Sequence, residues 1–499
     1  MFKWNESIYR KLCMSCDRLL SDLGANTRTV AIPYLHVIRP HPVFLNLYSK
    51  TFDSTQRGWI QQVGNFVSIV QHLLLSLISN GQHWNGQSTT KTDVLIISHL
   101  INPNLNQQEN DFYYGNIVEQ LSFLDTSATI ALINHTKEPS SKLVLKWKSP
   151  NNQGLVMTKV LSLREELSLI RHALIEANRL KKVSRKSLSN FDRRVAECAA
   201  FMASSVGAVC ALRIGKQVRE LVHTLKPQAI IVTYEGHSWE RIAFASARSV
   251  SPGIVCIGYQ HAPLFYGQYS LQRKLGRGFD PDVILTSGSA TKVQLENNLK
   301  LSGIRTAVLG SHRVFRHHEG SWESIPKKIC LVLPEGVESE CELLFSYSLM
   351  CARSMPDVKF IWRLHPILSF ETLKKKYQLF RELPRNVLLS DQSLIEDIAQ
   401  SKWALYRGTS AIVQAAVSGV RPIYFSIHGE IPIDPLFEIA SMRSMVSNVD
   451  DFKRVVESVN IEDTEKFAKV QNYCEQVFTR LDVNALVACL PLRKIDSEV

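Results

Sequence analysis

The stretch Ile329-Cys330-Leu331-Val332-Leu333-Pro334-Glu335-Gly336 decides the fold. Five consecutive apolar residues, closed at once by Pro and Gly, form a short run without polar alternation, as expected of a parallel strand covered on both faces. The same form recurs at Val358 to Leu364, Val387 to Leu389, Trp403 to Tyr406 and Pro422 to Phe425, with a helix-length segment between each pair. Five such units predict a Rossmann-like, doubly wound domain.

Upstream, a polar, basic and aromatic stretch from Ser311 to Lys328, including His317 and His318, breaks this rhythm and reads as an interdomain linker. Before it, Asp93 to Ser98, Thr129 to Asn134, Ala229 to Thr233, Ile254 to Tyr259 and Val283 to Thr286 read as strands, with a helix over Ser238 to Ser249. Leu161 to Lys226 is helical in two pieces, with Ser189 or Asn190 capping the second. A chain of 499 residues exceeds the ~250–300 that one core usually supports, so two α/β domains are expected. Their bounds are 1–310 and 328–499, joined by 311–327, with a helical stretch from Asp463 to Leu490 at the end. Residues 1–90 show no comparable pattern.

The ten cysteines are mostly scattered singly, which suits reduced thiols. Cys13 and Cys16 have no second pair to complete four metal ligands, so a helix with two buried thiols is expected. Val63 to Ile78 is the most apolar segment, but Asn65, Gln71 and His72 interrupt it and it falls short of a span, so a buried helix is expected. The N-terminus lacks the features of a secretory signal, which makes a cytoplasmic location the expectation. A net charge of +12 favours anionic partners.

In open α/β sheets ligands bind beyond the carboxyl ends of the strands, so the residues after each strand carry the functional reading. In the second half these are Glu335 and Gly336; Arg363, His365 and Pro366, with Arg363 and His365 able to share a face; and Arg407, Gly408, Thr409 and Ser410 opening a helix. A glycine turn, a guanidinium, an imidazole, hydroxyls and free helix N–H groups together suit a phosphate. In the first half, Tyr234-Glu235-Gly236-His237-Ser238-Trp239-Glu240-Arg241 places a carboxylate and an imidazole where they can deprotonate a hydroxyl, Glu235 being the better candidate. Glu240 and Arg241, inside the following helix, are expected to pair with each other. Gln260 and His261 end the next strand and line the same cleft. No Walker motif and no convincing Gly-x-Gly-x-x-Gly fingerprint is present, which weighs against kinases, ATPases and common dehydrogenases.

Glu235-Gly236, His365-Pro366 and Thr409-Ser410 resemble the acidic-Gly, His-Pro and Ser-Ser/Thr motifs of bacterial sialyltransferases, polysialyltransferases and capsular Kdo transferases of the two-domain GT-B type. Together with Gly258-Tyr259-Gln260-His261-Ala262-Pro263, the longer string looks like a group of surface-carbohydrate biosynthesis proteins, over roughly residues 90 to 440. The resemblance implies inverting, metal-independent transfer from a CMP-linked acidic sugar, without a further cofactor. It makes Glu235 the general base, His365 a ligand of the CMP phosphate, and Thr409 with Ser410 the grip on phosphate or cytidine. One acidic residue rather than two precedes Gly236, and Thr409 stands where Ser is commoner, departures that bear on the donor class.

The expected partners are a nucleotide-sugar donor, a glycan or lipid-linked acceptor and the anionic face of a membrane. The run Arg179, Lys181, Lys182, Arg185, Lys186, Arg193 and Arg194 lacks the interleaved aromatics of a nucleic-acid site and reads first as a solvated helix face. A CDP-glycerol or UDP-sugar transferase, a UDP-sugar epimerase and a non-catalytic nucleic-acid- or complex-binding protein remain open alternatives.

Overall fold

The computed structural model describes residues 4–491 except 54–57, 78, 80, 87–90, 104–109, 146–153, 187–188, 298–300, 315–327 and 459–460. Two sheets organise it. The first contains β1 (Trp84–Asn85), β2 (Val94–Leu100), β3 (Ala128–Asn134), β4 (Gly154–Met157), β5 (Ala229–Thr233), β6 (Val255–Gln260), β7 (Val283–Thr286) and β8 (Arg305–Val308). Their order is β1-β4-β3-β2-β5-β6-β7-β8, all parallel except β1. The second contains β9 (Ile329–Leu333), β10 (Lys359–Trp362), β11 (Val387–Leu389), β12 (Trp403–Tyr406), β13 (Arg421–Phe425) and β14 (Ser444–Val446). It runs β11-β10-β9-β12-β13-β14, parallel throughout, six strands where five were expected.

Each sheet winds outward in both directions from its first parallel strand, β2 or β9. The winding reverses between β2 and β5 and again between β9 and β12, and at such a reversal the loops diverge and leave a crevice. Alternation along the central strands feeds two cores per sheet. Cys330 and Val332 pack on one face of β9, and Ile329, Leu331 and Leu333 on the other. The expected α/β class, two Rossmann-like sheets followed by C-terminal helices, is therefore the fold observed.

Residues before β1 form helices over Glu6–Ser21, Thr27–Val30, Pro42–Asp53 and Gly58–Leu77. The first carries Cys13 and Cys16 as buried free thiols. It packs against Asn190–Met202, where Ser189 is indeed the cap, accepting from the Asp192 N–H. The Gly58–Leu77 helix corrects one expectation, since Leu74, Leu75 and Leu77 are exposed rather than buried. Among the described residues no single helix is long and apolar enough to cross a membrane. Asn190–Met202 and Val206–Leu225 together have the length and composition, but they bend by 63°.

After the helix Ile461–Val477 the chain returns to the first sheet. Thr479 donates its N–H to Ser287 (2.9 Å), Ser311 to Thr479 (2.8 Å) and Asp482 to Leu309 (2.8 Å). Val483, Leu486 and Cys489 then join the core containing Leu100, Tyr114 and Tyr259.

Candidate functional site

At the first reversal, β5 leads into a turn held from two sides. Glu240, in the first turn of the helix Ser238–Val250, accepts the backbone N–H groups of Glu235 (3.0 Å), Gly236 (2.7 Å) and His237 (2.8 Å). Ser270 donates its hydroxyl to the Glu235 carbonyl at 2.6 Å. Gly236 has φ +85, and a Cβ there would lie 2.6 Å from the Ser270 backbone, so only glycine fits. Glu240 and Arg241 do not pair with each other: Arg241 turns inward to Asp280 at 2.5 Å, leaving Glu240 to cap the helix.

This turn presents Glu235 beside His237, with Oε2 and Nε2 3.3 Å apart. The side chains are surrounded by protein yet remain 32% and 40% accessible. Burial would raise Glu235, but the His237 contact and the charges of His261, His237 and Arg39 outweigh it and hold the carboxyl at about 2. Burial opposes the charge on His237, and the Glu235 contact with the charges of Glu240 and Glu235 raises its pKa. Glu240 itself is pushed up to about 7 by burial, against the His237 charge and the backbone N–H groups.

The neighbouring strands add two imidazoles that the sequence reading passed over. His99 in β2 meets His135 after β3 (Nδ1 to Nε2, 2.9 Å) and Thr233 in β5 (Nε2 to Oγ1, 2.9 Å). The rings of Trp239 and Tyr113 stand edge-on to His99 at 5.1 and 5.6 Å. Tyr113 also meets His261 at 4.7 Å. Burial lowers His99 to about 3 and His261 to about 4, so both are neutral imidazoles at pH 7. Among the described residues, no three His, Cys, Asp or Glu side chains gather as metal ligands.

At the second reversal, Glu335 follows β9 and Gly408 follows β12. Gly408 has φ +63, and a Cβ there would lie 2.8 Å from the Glu335 carboxyl carbon. A Cβ on Gly336 would lie 2.9 Å from His365 Nδ1, so Glu335, Gly336, His365 and Gly408 do converge. His365 is lowered by burial, against the pull of Glu335. Thr409 Oγ1 accepts the Ala411 N–H at 3.3 Å, while Ser410 makes no capping bond.

Two expected donor contacts are engaged elsewhere. Arg363 does not share His365's surroundings but turns toward Asp397 at 2.7 Å and the Gln392 carbonyl at 2.7 Å. Arg407 is buried between Glu340 and Glu430, each at 2.8 Å, which neutralises its charge. Pro366 follows His365 at the end of this strand-to-helix turn.

The two reversals are joined by a segment for which the sequence offered no role. Arg39 donates to Glu335 at 3.1 Å and stacks 4.2 Å from the centre of the Phe265 ring, while its charge also helps lower Glu235. His41, fully buried, contacts the other Glu335 oxygen. Arg39 thus stands between the carboxylate of one sheet and the glycine turns of the other. The fold and site define a two-sheet α/β protein with polar, histidine-rich turns at both of its topological switch points.

No model of a known protein family matches the sequence. No curated protein matches it either. Among solved structures, it is similar to the glycotransferase of kitacinnamycin, 12% identical over 81% of this chain and 100% of that one, with a TM-score of 0.47. It is also similar to UDP-GlcNAc 2-epimerase from Neisseria meningitidis, 12% identical over 79% and 99% with a TM-score of 0.43. A third is MurG of Acinetobacter baumannii, 9% identical over 76% and 95%, also at 0.43.

Proposed function

We propose that this chain is a glycosyltransferase of surface-polysaccharide synthesis that moves an acidic ulosonic acid from a CMP donor to a glycan or lipid-linked acceptor, with inversion and without a metal. The reading is carried by one observation: Arg39 donates to Glu335 at 3.1 Å while its charge also acts on Glu235, which puts a base and an anion cradle on either side of one cation. The acceptor hydroxyl gives its proton to Glu235, which is ionised at neutral pH, as its oxygen attacks the anomeric carbon. The bond from that carbon to the CMP phosphate breaks on the opposite side, and the phosphate keeps the electron pair. His365, Thr409 and the backbone at Gly336 and Gly408 stabilise the charge that develops there. His261, neutral and with Nδ1 unpartnered, orients the sugar hydroxyls. Arg363 and Arg407 have no direct part and hold the turns in place. The exposed Leu74, Leu75 and Leu77 support peripheral contact with the membrane that carries a lipid-linked acceptor.

The test is thermal stabilisation by CMP, CDP, UDP and GDP at matched concentration, since a ligand of the folded state raises its stability by about 2.7 kcal/mol at a hundred times Kd. Stabilisation by CMP above the others, lost in His365→Ala, is the expected result. Preference for another nucleotide overturns the donor, and no response to any overturns the nucleotide site.

A further inference from the structure

Arg313 lies just past the first sheet in a firmly held stretch. Ser311 is bonded to Thr479 at 2.8 Å, and Gly310, with φ +82, lies against the Arg480 backbone. The Arg313 guanidinium is 4.9 Å from the ring centre of Phe112 and 6.0 Å from that of Tyr113, the ring that meets His261. Burial lowers its pKa, and its charge depresses His261 in one half of the cleft and His365 in the other. The Asp111 carboxylate, which accepts the N–H groups of Tyr113 and Tyr114 at 2.8 and 2.9 Å, favours the charge on Arg313.

The buried arginines Arg213, Arg241 and Arg407 each hold a carboxylate: Glu166 at 2.7 Å, Asp280 at 2.5 Å and Glu340 at 2.8 Å. Arg313 has none among the described residues. Arg313 is half-buried and packed on two aromatic rings, so its guanidinium can still take an anion that arrives with the ligand. Its surroundings select which anion. It sits against the Tyr113 and His261 side, where the reacting sugar lies, and the glycine turns beside His365 serve the phosphate.

We infer that Arg313 recognises a carboxylate on the sugar being transferred, an inference that rests on the donor site proposed above. It is a specificity-determining residue, and the enzyme selects acidic over neutral sugars by presenting a cation that only a carboxylate satisfies.

The experiment titrates four probes calorimetrically into the full chain: CMP-linked N-acetylneuraminate and its methyl ester, and UDP-glucuronate and UDP-glucose. Wild type, Arg313→Gln and Arg313→Lys are compared, with melting curves to confirm folding. In wild type the carboxylate member of each pair binds tighter by about 10- to 100-fold, as expected for one charge-assisted bidentate contact. That preference collapses in Arg313→Gln and is retained in part by Arg313→Lys. Equal binding within both pairs in wild type overturns the inference, as does an Arg313→Gln variant that weakens both members of a pair alike. A carboxylate preference without a preference for CMP over UDP keeps the role of Arg313 and overturns the donor nucleotide. A CMP preference without a carboxylate preference does the reverse.

Discussion

Replacing Gly408 by Ala tests how the two halves of the cleft are coupled. At φ +63 an L-residue costs about 1–2 kcal/mol relative to glycine. The added Cβ would also stand 2.8 Å from the Glu335 carboxyl carbon, forcing that side chain away from Arg39 and His41. Complete rupture of a buried pair costs about 3–5 kcal/mol, and a displacement that leaves part of the contact costs on the order of 1–2 kcal/mol. The sum, about 2–4 kcal/mol, corresponds to a melting midpoint lower by roughly 4–16 °C for a domain of this size. In a Glu335→Ala background the clash is gone and only the backbone cost of about 1–2 kcal/mol remains. Scanning calorimetry on the wild type, both single variants and the double variant closes the cycle, with a coupling of about 1–2 kcal/mol expected. Identical shifts from Gly408→Ala in both backgrounds would refute the argument that this glycine exists to admit the carboxylate.

Glu235→Gln should lower transfer by about 100- to 10,000-fold while leaving CMP stabilisation intact, and loss of CMP binding would make Glu235 a donor contact instead of a base. The raised pKa of His237 means that its pairing with Glu235 stabilises the fold fully below the ordinary value of 6.5 and is lost as pH rises through the higher folded value. The melting advantage of wild type over Glu235→Gln should therefore shrink from pH 6 to pH 8, and a growing advantage would contradict the assignment. His261 has the opposite sign: held at about 4, it contributes stability above pH 6.5 that disappears as pH falls toward 4. His261→Asn should make acid destabilisation shallower over that interval, as followed by midpoint against pH.

The strands that anchor both sheets were legible because their residues are buried on both faces. Ala229–Thr233, Val283–Thr286, Ile329–Leu333 and Trp403–Tyr406 fall where short apolar runs predict them, and Val387–Leu389, at a sheet edge with Leu388 and Leu389 exposed, was legible from its apolar composition alone. What escaped reading lies mainly at the sheet edges: Trp84–Asn85, Gly154–Met157, Arg305–Val308 and Ser444–Val446. Edge strands pair on one side only, so Arg305–Val308 and Ser444–Val446 carry polar residues and show no continuous hydrophobic signal. The site was legible where it follows a strand that had been recognised, as with Glu235 and His365. His99 and His135 obey the same rule at β2 and β3, and applying it there would have found them. Arg39 and His41 could not be found this way, because a long-range ion pair to Glu335 leaves no trace in local periodicity. Arg313 was absorbed into a linker whose basic composition masked its place beside Tyr113.

The returning C-terminal segment ties the halves together a second time. With Ser311 and Thr479 bonded side by side, the backbone passes between the two sheets at adjacent points, and two adjacent pivots define an axis. Relative movement of the sheets is thereby reduced from a free swivel to a rocking about one line, and shear across the cleft is opposed. A cut after Val477 would therefore do more than trim an end. It would strip Val483, Leu486 and Cys489 from the first core and free the second half to twist out of register with the first.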